Sequence, residues 1–272
     1  MTEIVYPVVV LGGLGTVFGV ILAIASKIFF VPTDPKVEQL QNALPGANCG
    51  ACGYPGCSGL ANALAEGKAP VNACPIGGQR VADMIADILG ADSAELEKRV
   101  AVVLCQGDCD KAKDKYIYEG IQDCRISNQL SDGQKACSYG CLGCGTCRDV
   151  CQFDAIDMVN GVAIVNRDKC TACLKCVEVC PKHIIEMVPY DSTVAVKCMS
   201  EDPGKVVRGN CDIGCIGCKI CVKNCPEDAF SFENNLAKIN YDKCTNCLIC
   251  VEKCPTKCID HMVDEKPDNI AV

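Results

Sequence analysis

From Ile4 to Ser26 the chain reads IVYPVVVLGGLGTVFGVILAIAS, 23 residues without a charge. A helix needs about 20 mainly apolar residues to cross the hydrocarbon core of a bilayer, so this run predicts a membrane-spanning helix. It is longer than the apolar part of a signal peptide, and no Lys or Arg precedes it. Gly15 and Gly19 give it a GxxxG face, the kind on which membrane helices pack. Further on, apolar residues fall at helical spacing in SGLANALAEG (58–67) and QRVADMIADILG (79–90). Asp92 and Glu95 follow as a capping box for one more turn. Two short segments, VAIVN (162–166) and LAKIN (236–240), read as strands, and residues 186–197 read as a linker. The pattern is that of an α+β chain behind a single N-terminal transmembrane helix.

Composition changes this picture. The chain has 27 cysteines in 272 residues, with two histidines and no tryptophan. Large apolar side chains are sparse, so inorganic cores are expected to substitute for them. The cysteine count is odd and the thiols sit in tight C-x2-C runs, which points to a reducing compartment and metal ligation rather than disulfides. The formal charge of −8 belongs to the part beyond the apolar run, because Glu3 and Lys27 cancel. That disfavours nucleic acid and anionic lipid as its main partners. Lys27 and Lys36 follow the helix and put the C-terminal side in the cytoplasm.

The strongest feature is an internal repeat. Cysteines 124, 137, 141, 144, 147, 151, 170, 173, 176 and 180 return at 198, 211, 215, 218, 221, 225, 244, 247, 250 and 254, each shifted by 74 residues. Every unit holds two C-x2-C-x2-C-x3-C runs and resembles the bacterial two-[4Fe–4S] ferredoxins, in which the fourth cysteine of a run serves the other cluster. The resemblance implies four ligand sets: Cys141, Cys144, Cys147 and Cys180; Cys170, Cys173, Cys176 and Cys151; Cys215, Cys218, Cys221 and Cys254; and Cys244, Cys247, Cys250 and Cys225. Zinc would accept isolated C-x2-C pairs, but this cross-ligating register argues for clusters. Pro181, Pro226 and Pro255 follow three of the fourth cysteines, whereas Gln152 follows Cys151. Either its extra N–H raises the potential of the cluster that Cys151 serves, or it is a tolerated turn substitution.

A different motif, NCGACGYPGC with Cys74, sets Cys49, Cys52 and Cys57 just before the first of the two predicted helices and Cys74 between them. It resembles the small helical four-cysteine [4Fe–4S] domain of several electron-transfer and corrinoid-linked proteins, and makes a fifth cluster. Seven cysteines remain: 105, 109, 124, 137, 198, 211 and 258. Cys105, Cys109, Cys124 and Cys137 are one candidate set for a sixth cluster. Cys124, Cys137, Cys198 and Cys211 are a rival, and free buried thiols are the third reading. Cys258 reads as a small buried hydrophobe.

Neither G-x-G-x-x-G nor a P-loop occurs, and no nucleophile stands beside a base, so no nicotinamide or flavin site is expected in this chain. The order of parts, a membrane helix, then LPGANCGACGYPGC with Cys74, then ferredoxin motifs, resembles the B subunits of the Rnf complex, the ion-translocating ferredoxin:NAD+ oxidoreductase of anaerobes. The segment CQGDC…CSYGCLGCGTC (105–147) and the duplicated unit resemble its longer, clostridial-type form. This implies a chain that takes electrons from soluble reduced ferredoxin and passes them towards membrane subunits, with NAD and flavin bound by other subunits. The parts divide as a 1–33 anchor, a 34–100 helical domain, and ferredoxin-like units at 101–190 and 191–272. Because ferredoxins are usually acidic, docking needs a local basic patch: Lys169, Lys175 and Lys182, or Lys219, Lys223, Lys243 and Lys253. Two other classes are a cluster-bearing chain of a hydrogenase or formate dehydrogenase and a membrane-tethered redox sensor. The first is disfavoured by the four-cysteine domain next to the anchor, the second by a file of five or six centres, which suits conduction.

Overall fold

The computed structural model describes residues 2–28, 34–92 and 95–262. Helix α1 (Thr2–Ile28) covers the predicted apolar run and extends it at both ends. Its stretch Val10–Lys27 is long and apolar enough to cross a membrane, and none of it is buried against the rest of the chain.

Three helices form the next unit: α2 (Pro35–Ala43), α3 (Gly56–Ala65) and α4 (Gly78–Leu89). The Asp34 carboxylate accepts from the Lys36 N–H at 2.9 Å, and Pro35 occupies the first turn of α2, where its missing N–H costs nothing. Gly90, at φ +69°, ends α4 in the left-handed conformation that glycine adopts without strain. Leu40, Leu60, Leu64, Val81 and Ile85 form a buried core, with Cys52, Cys57 and Cys74 at its border. Of the turn expected from Asp92, the described part at residues 95–98 is not helical. Instead the Leu96 N–H donates to Gln79 Oε1 at 2.8 Å, which ties the exit strand to α4. Ser93 and Ala94 lie outside the described residues.

The remainder alternates short strands and single-turn helices: β1 (Arg99–Val103), α5 (Cys124–Gln129), α6 (Thr146–Asp149), β2 (Ile156–Val159), β3 (Val162–Val165), α7 (Lys175–Val179) and β4 (Ile185–Pro189), then β5 (Val194–Val196), α8 (Gly204–Asn210), α9 (Ile220–Asn224), β6 (Phe230–Glu233), β7 (Leu236–Ile239), α10 (Ile249–Lys253) and β8 (Ile259–His261). Hairpins β2–β3 and β6–β7 contain the two predicted strand segments. Both turn on two residues with positive φ, Asn160-Gly161 and Asn234-Asn235, the geometry that matches strand twist.

Each hairpin is framed by a second antiparallel pair, β1 with β4 and β5 with β8. Residues 186–197 are therefore not a linker. They contribute to β4 and β5, where Val188 and Ala195 are fully buried. Strand alternation gives β1 two uses: Val100, Val102 and Leu104 pack with Val188, Ala195 and Met262 between the two sheets. Ala101, Val103 and Cys105 face the first unit's cysteines.

These strands also correct the repeat. Val103 pairs with Ile185 as Val196 pairs with Ile259. Leu104 N–H donates to Ile184 O as Lys197 N–H donates to Cys258 O. The second partners are 74 residues apart, but Val103 and Val196 are 93 apart, so the first unit carries 19 additional residues. They fall between Cys105 and Cys137. The equivalent of Cys198 is thus Cys105, and the 74-residue match of Cys198 to Cys124 is accidental.

Candidate metal centres

All four ferredoxin runs share one backbone. The residue before the second cysteine has positive φ: Gly143, Ala172, Gly217 and Asn246. So does the residue after it, Gly145, Leu174, Lys219 and Leu248, and so does the third residue after each fourth cysteine, Asp154, His183, Asp228 and Lys257. Nine of these twelve are not glycine, and for a bulky residue such as leucine this conformation is an outlier that the surroundings must enforce. Its effect is to turn successive N–H groups inwards, a nest that suits an anion and recurs at iron–sulfur sites. The run ending in Cys151 keeps the pattern through Asp154 although it lacks proline. Gln152 itself is exposed and does not line the adjoining hollow.

Behind each nest the cysteines ring a hollow. Cys151, Cys170, Cys173 and Cys176 line one, together with Ala101, Ile156, Val165 and Met187. Cys225, Cys244, Cys247 and Cys250 line the second. Cys215, Cys218, Cys221 and Cys254 line the third, joined by Cys258. The fourth is lined by Cys141, Cys147 and Cys180, with Cys124 beside them. Cys144 is buried next to it and in hydrogen-bonding contact with Cys124. In each case the fourth cysteine comes from the other run of the same unit. Backbone N–H groups point at the sulfurs: Ala101 N–H donates to Cys170 Sγ and Ala229 N–H to Cys225 Sγ, both at 3.4 Å.

In the helical unit, Asn48 Oδ1 accepts from the Cys57 N–H at 2.8 Å and draws the loop closed. A side chain at Gly56, which has φ +79°, would place its Cβ 2.8 Å from that same oxygen. Cys74 follows from the next loop, accepts from the N–H groups of Gly77 and Ile76, and feels the thiols of Cys57 and Cys52. Cys49 adds to the like-charge field at Cys173, so this unit abuts the hollow of Cys151, Cys170, Cys173 and Cys176.

The four-cysteine set Cys105, Cys109, Cys124 and Cys137 is not brought together. Cys109 is exposed and lies against Gly161, and Cys124 sits beside Cys144. Cys105 and Cys137 instead share a different hollow with Cys198 and Cys211. The rival set is likewise altered, with Cys105 in the place expected for Cys124. The signal available in the sequence is VAVVLC (100–105) against VAVKC (194–198), a strand ending in cysteine in both units. Cys258 is buried as expected, but it touches Cys215 and Cys254.

The donor chemistry fits iron–sulfur clusters. Burial pushes the Cys147 and Cys176 thiols up to about 12 and that of Cys250 up to about 11, and neighbouring thiols add to the effect. Such groups ionise only opposite a cation, and ligation by iron removes their protons outright. Among the described residues no three His, Cys, Asp or Glu converge on a single ion.

Comparisons with known proteins agree. An Fe-S cluster family matches residues 44–76, and 4Fe-4S dicluster domain families match residues 140–185 and 209–255. The chain is 49% identical over 265 residues, 97% of its length and 80% of the relative's, to the B subunit of the Na(+)-translocating ferredoxin:NAD(+) oxidoreductase complex of Acetobacterium woodii. It is 43% identical over 239 residues, 88% of its length and 90% of the relative's, to the B subunit of the ion-translocating oxidoreductase complex of Methanosarcina acetivorans. The B subunit of the proton-translocating ferredoxin:NAD(+) oxidoreductase complex of Clostridium ljungdahlii is 42% identical over 246 residues, 90% of this chain and 87% of that one.

Proposed function

The chain belongs to the family of B subunits of ion-translocating Rnf oxidoreductases, and from that membership we propose that it is the membrane-anchored iron–sulfur conduit of such a complex. It takes electrons from reduced ferredoxin on the cytoplasmic side and delivers them to the membrane subunits. The observation that carries this reading is the set of four hollows, each lined by cysteines of one run together with the fourth cysteine of the other: three cysteines of the run in three of the hollows, and Cys141 and Cys147 in the last.

The ligands are assigned accordingly. Cys141, Cys144, Cys147 and Cys180 hold one cluster, and Cys170, Cys173, Cys176 and Cys151 its neighbour. Cys215, Cys218, Cys221 and Cys254 hold a third, and Cys244, Cys247, Cys250 and Cys225 a fourth. Cys49, Cys52, Cys57 and Cys74 hold the fifth. The [4Fe–4S] clusters supply one-electron transfer, with no bond made or broken. The protein supplies thiolates, N–H groups aimed at sulfur and apolar walls that exclude water, the levers that set potential. The units are taken as residues 1–33, 34–100, 101–190 and 191–272, the last extending beyond the described residues at 263–272.

Electron entry is assigned to the second unit. Cys218 and Cys247 are exposed there, so two centres lie near the surface. Lys219, Lys223, Lys243 and Lys253 are all exposed around them, whereas in the first unit Lys175 and Lys182 are half-buried. Against an acidic carrier such a patch raises the encounter rate and makes it salt-dependent. The test is stopped-flow reduction of the purified complex by reduced ferredoxin. Reversing Lys223, Lys243 and Lys253 to Glu is expected to lower the association rate about tenfold or more at low salt and to flatten its salt dependence. Lys169→Glu in the first unit should do neither. An unchanged rate in the triple variant removes the second unit as the docking face.

A further inference from the structure

Four thiols with no part in the five clusters meet between the two ferredoxin units. Cys105, Cys137, Cys198 and Cys211 line a hollow of about 500 Å³. The four hollows of the ferredoxin runs measure about 310 to 380 Å³, so there is room for the same cargo. Each unit gives two ligands from equivalent places: one cysteine two residues past its first strand, Cys105 after β1 and Cys198 after β5, and one just before its first run, Cys137 and Cys211. The site is therefore built from equivalent positions of the two duplicated units. The 19-residue insertion does not disturb it but closes it. Ala112 bridges to Cys211 and Asp114 to Lys135, so one inserted segment binds the approaches to both Cys137 and Cys211.

Two buried ammonium groups against one half-buried carboxylate, Asp202, suit an anion better than they suit four idle thiols. Lys135 and Lys197 are buried, 3% and 5% exposed, and both line the hollow. Lys135 Nζ donates to the carbonyls of Gly107 and Gly161, at 2.5 and 3.1 Å, which holds the ammonium in place. Burying an ammonium beside apolar walls costs far less where negative charge faces it, and a cubane with four thiolates carries that charge. Backbone N–H groups again point at sulfur: Cys141 N–H donates to Cys105 Sγ at 3.4 Å and Ser200 N–H to Cys198 Sγ at 3.5 Å. Those same contacts locate the hollow between its neighbours. Cys105 touches the backbone of Cys141, and Cys198 feels the thiol of Cys215. All four cysteines are free.

We propose that Cys105, Cys137, Cys198 and Cys211 bind a sixth [4Fe–4S] cluster that joins the cluster rows of the two ferredoxin units into one continuous file. The proposal rests on the cluster reading of the four runs. It makes each unit dependent on the other for a ligand set that neither can complete alone.

The test is iron and acid-labile sulfide per full-length chain, purified without oxygen in detergent. About 24 of each are expected, four for every one of six cubanes. Cys211→Ala and Cys198→Ala should each lose about four irons and four sulfides, while Cys109→Ala and Cys124→Ala lose none. Integrated spin after full reduction should fall by about one-sixth in the same two variants, a readout that counts centres even where a variant is less stable. A wild-type content of about 20, unchanged in Cys211→Ala, overturns the sixth cluster and leaves the other five standing. One zinc per chain that disappears in Cys211→Ala also overturns it. A content well under about 20 in the wild type sinks the reading of the ferredoxin runs, and this site with it.

Discussion

Gly143 shows how a single residue is fixed by the nest around a cluster. It stands between Cys141 and Cys144 at φ +80°, and a Cβ there would lie 2.7 Å from the backbone carbonyl oxygen of Gly161. Neither the conformation nor the contact yields easily, since the obstacle is backbone. Gly217, its counterpart, has φ +67° and its nearest atom, the Asn235 carbonyl oxygen, at 3.0 Å. Gly143→Ala should therefore destabilise the protein by more than about 1 kcal/mol, and by more than Gly217→Ala, measured as the temperature at which the visible cluster absorbance bleaches. Equal and negligible shifts would mean that the hairpin turn gives way. The thiols themselves are legible in the sequence, because C-x2-C-x2-C-x3-C leaves few alternatives. The left-handed leucines are not. Leu174 and Leu248 look like ordinary apolar residues, and only the closed loop forces them into that conformation.

At the level of elements, helices are easier to read than strands for a physical reason. A twelve-residue helix such as α4 repeats its apolar face three times, and Val81, Ile85 and their neighbours mark it clearly. Strands of three to five residues, as β1, β4, β5 and β8 are, repeat too little to stand out. Their partners are also remote: β1 pairs with a strand more than eighty residues later. That is why residues 186–197 read as a linker and why cysteine spacing alone misaligns the start of the repeat. The helical unit offers a clean test of packing. Ile85 is fully buried, whereas Met84, one position earlier, is 36% exposed. Ile85→Ala should cost about 2–5 kcal/mol and lower the bleaching temperature of the Cys49–Cys74 centre, while Met84→Ala should leave it nearly unchanged. Similar losses for both would mean that α4 does not hold the four-cysteine loop through this core.

Across the whole molecule the thiol-lined hollows fall in sequence. The second unit's pair comes first, then the hollow that the two units share, then the first unit's pair, and last the helical unit that follows the anchor. Strand β1 runs along part of this file, with Ala101, Val103 and Cys105 each lining a successive hollow. Strand β5 mirrors it with Val194, Val196 and Cys198. If electrons travel in this order, the helical unit is the exit. In the assembled complex Cys52→Ala should leave reduction of the ferredoxin units by ferredoxin unaltered and abolish delivery to the membrane subunits. Wild-type delivery in that variant would take the Cys49–Cys74 centre off the path.

The sheet-to-sheet contact through Val100, Val102, Leu104 and Val188 has a consequence for biosynthesis. On the ribosome the first unit emerges complete in its own ferredoxin motifs, yet the apolar back of its β1–β4 pair is covered by Ala195 and Met262, which are translated later. Until they arrive, that back remains open to water and to other nascent chains. Burial of that back and synthesis of the second unit are thereby coupled in time, and a message broken between them would yield a product that is sticky rather than merely shorter.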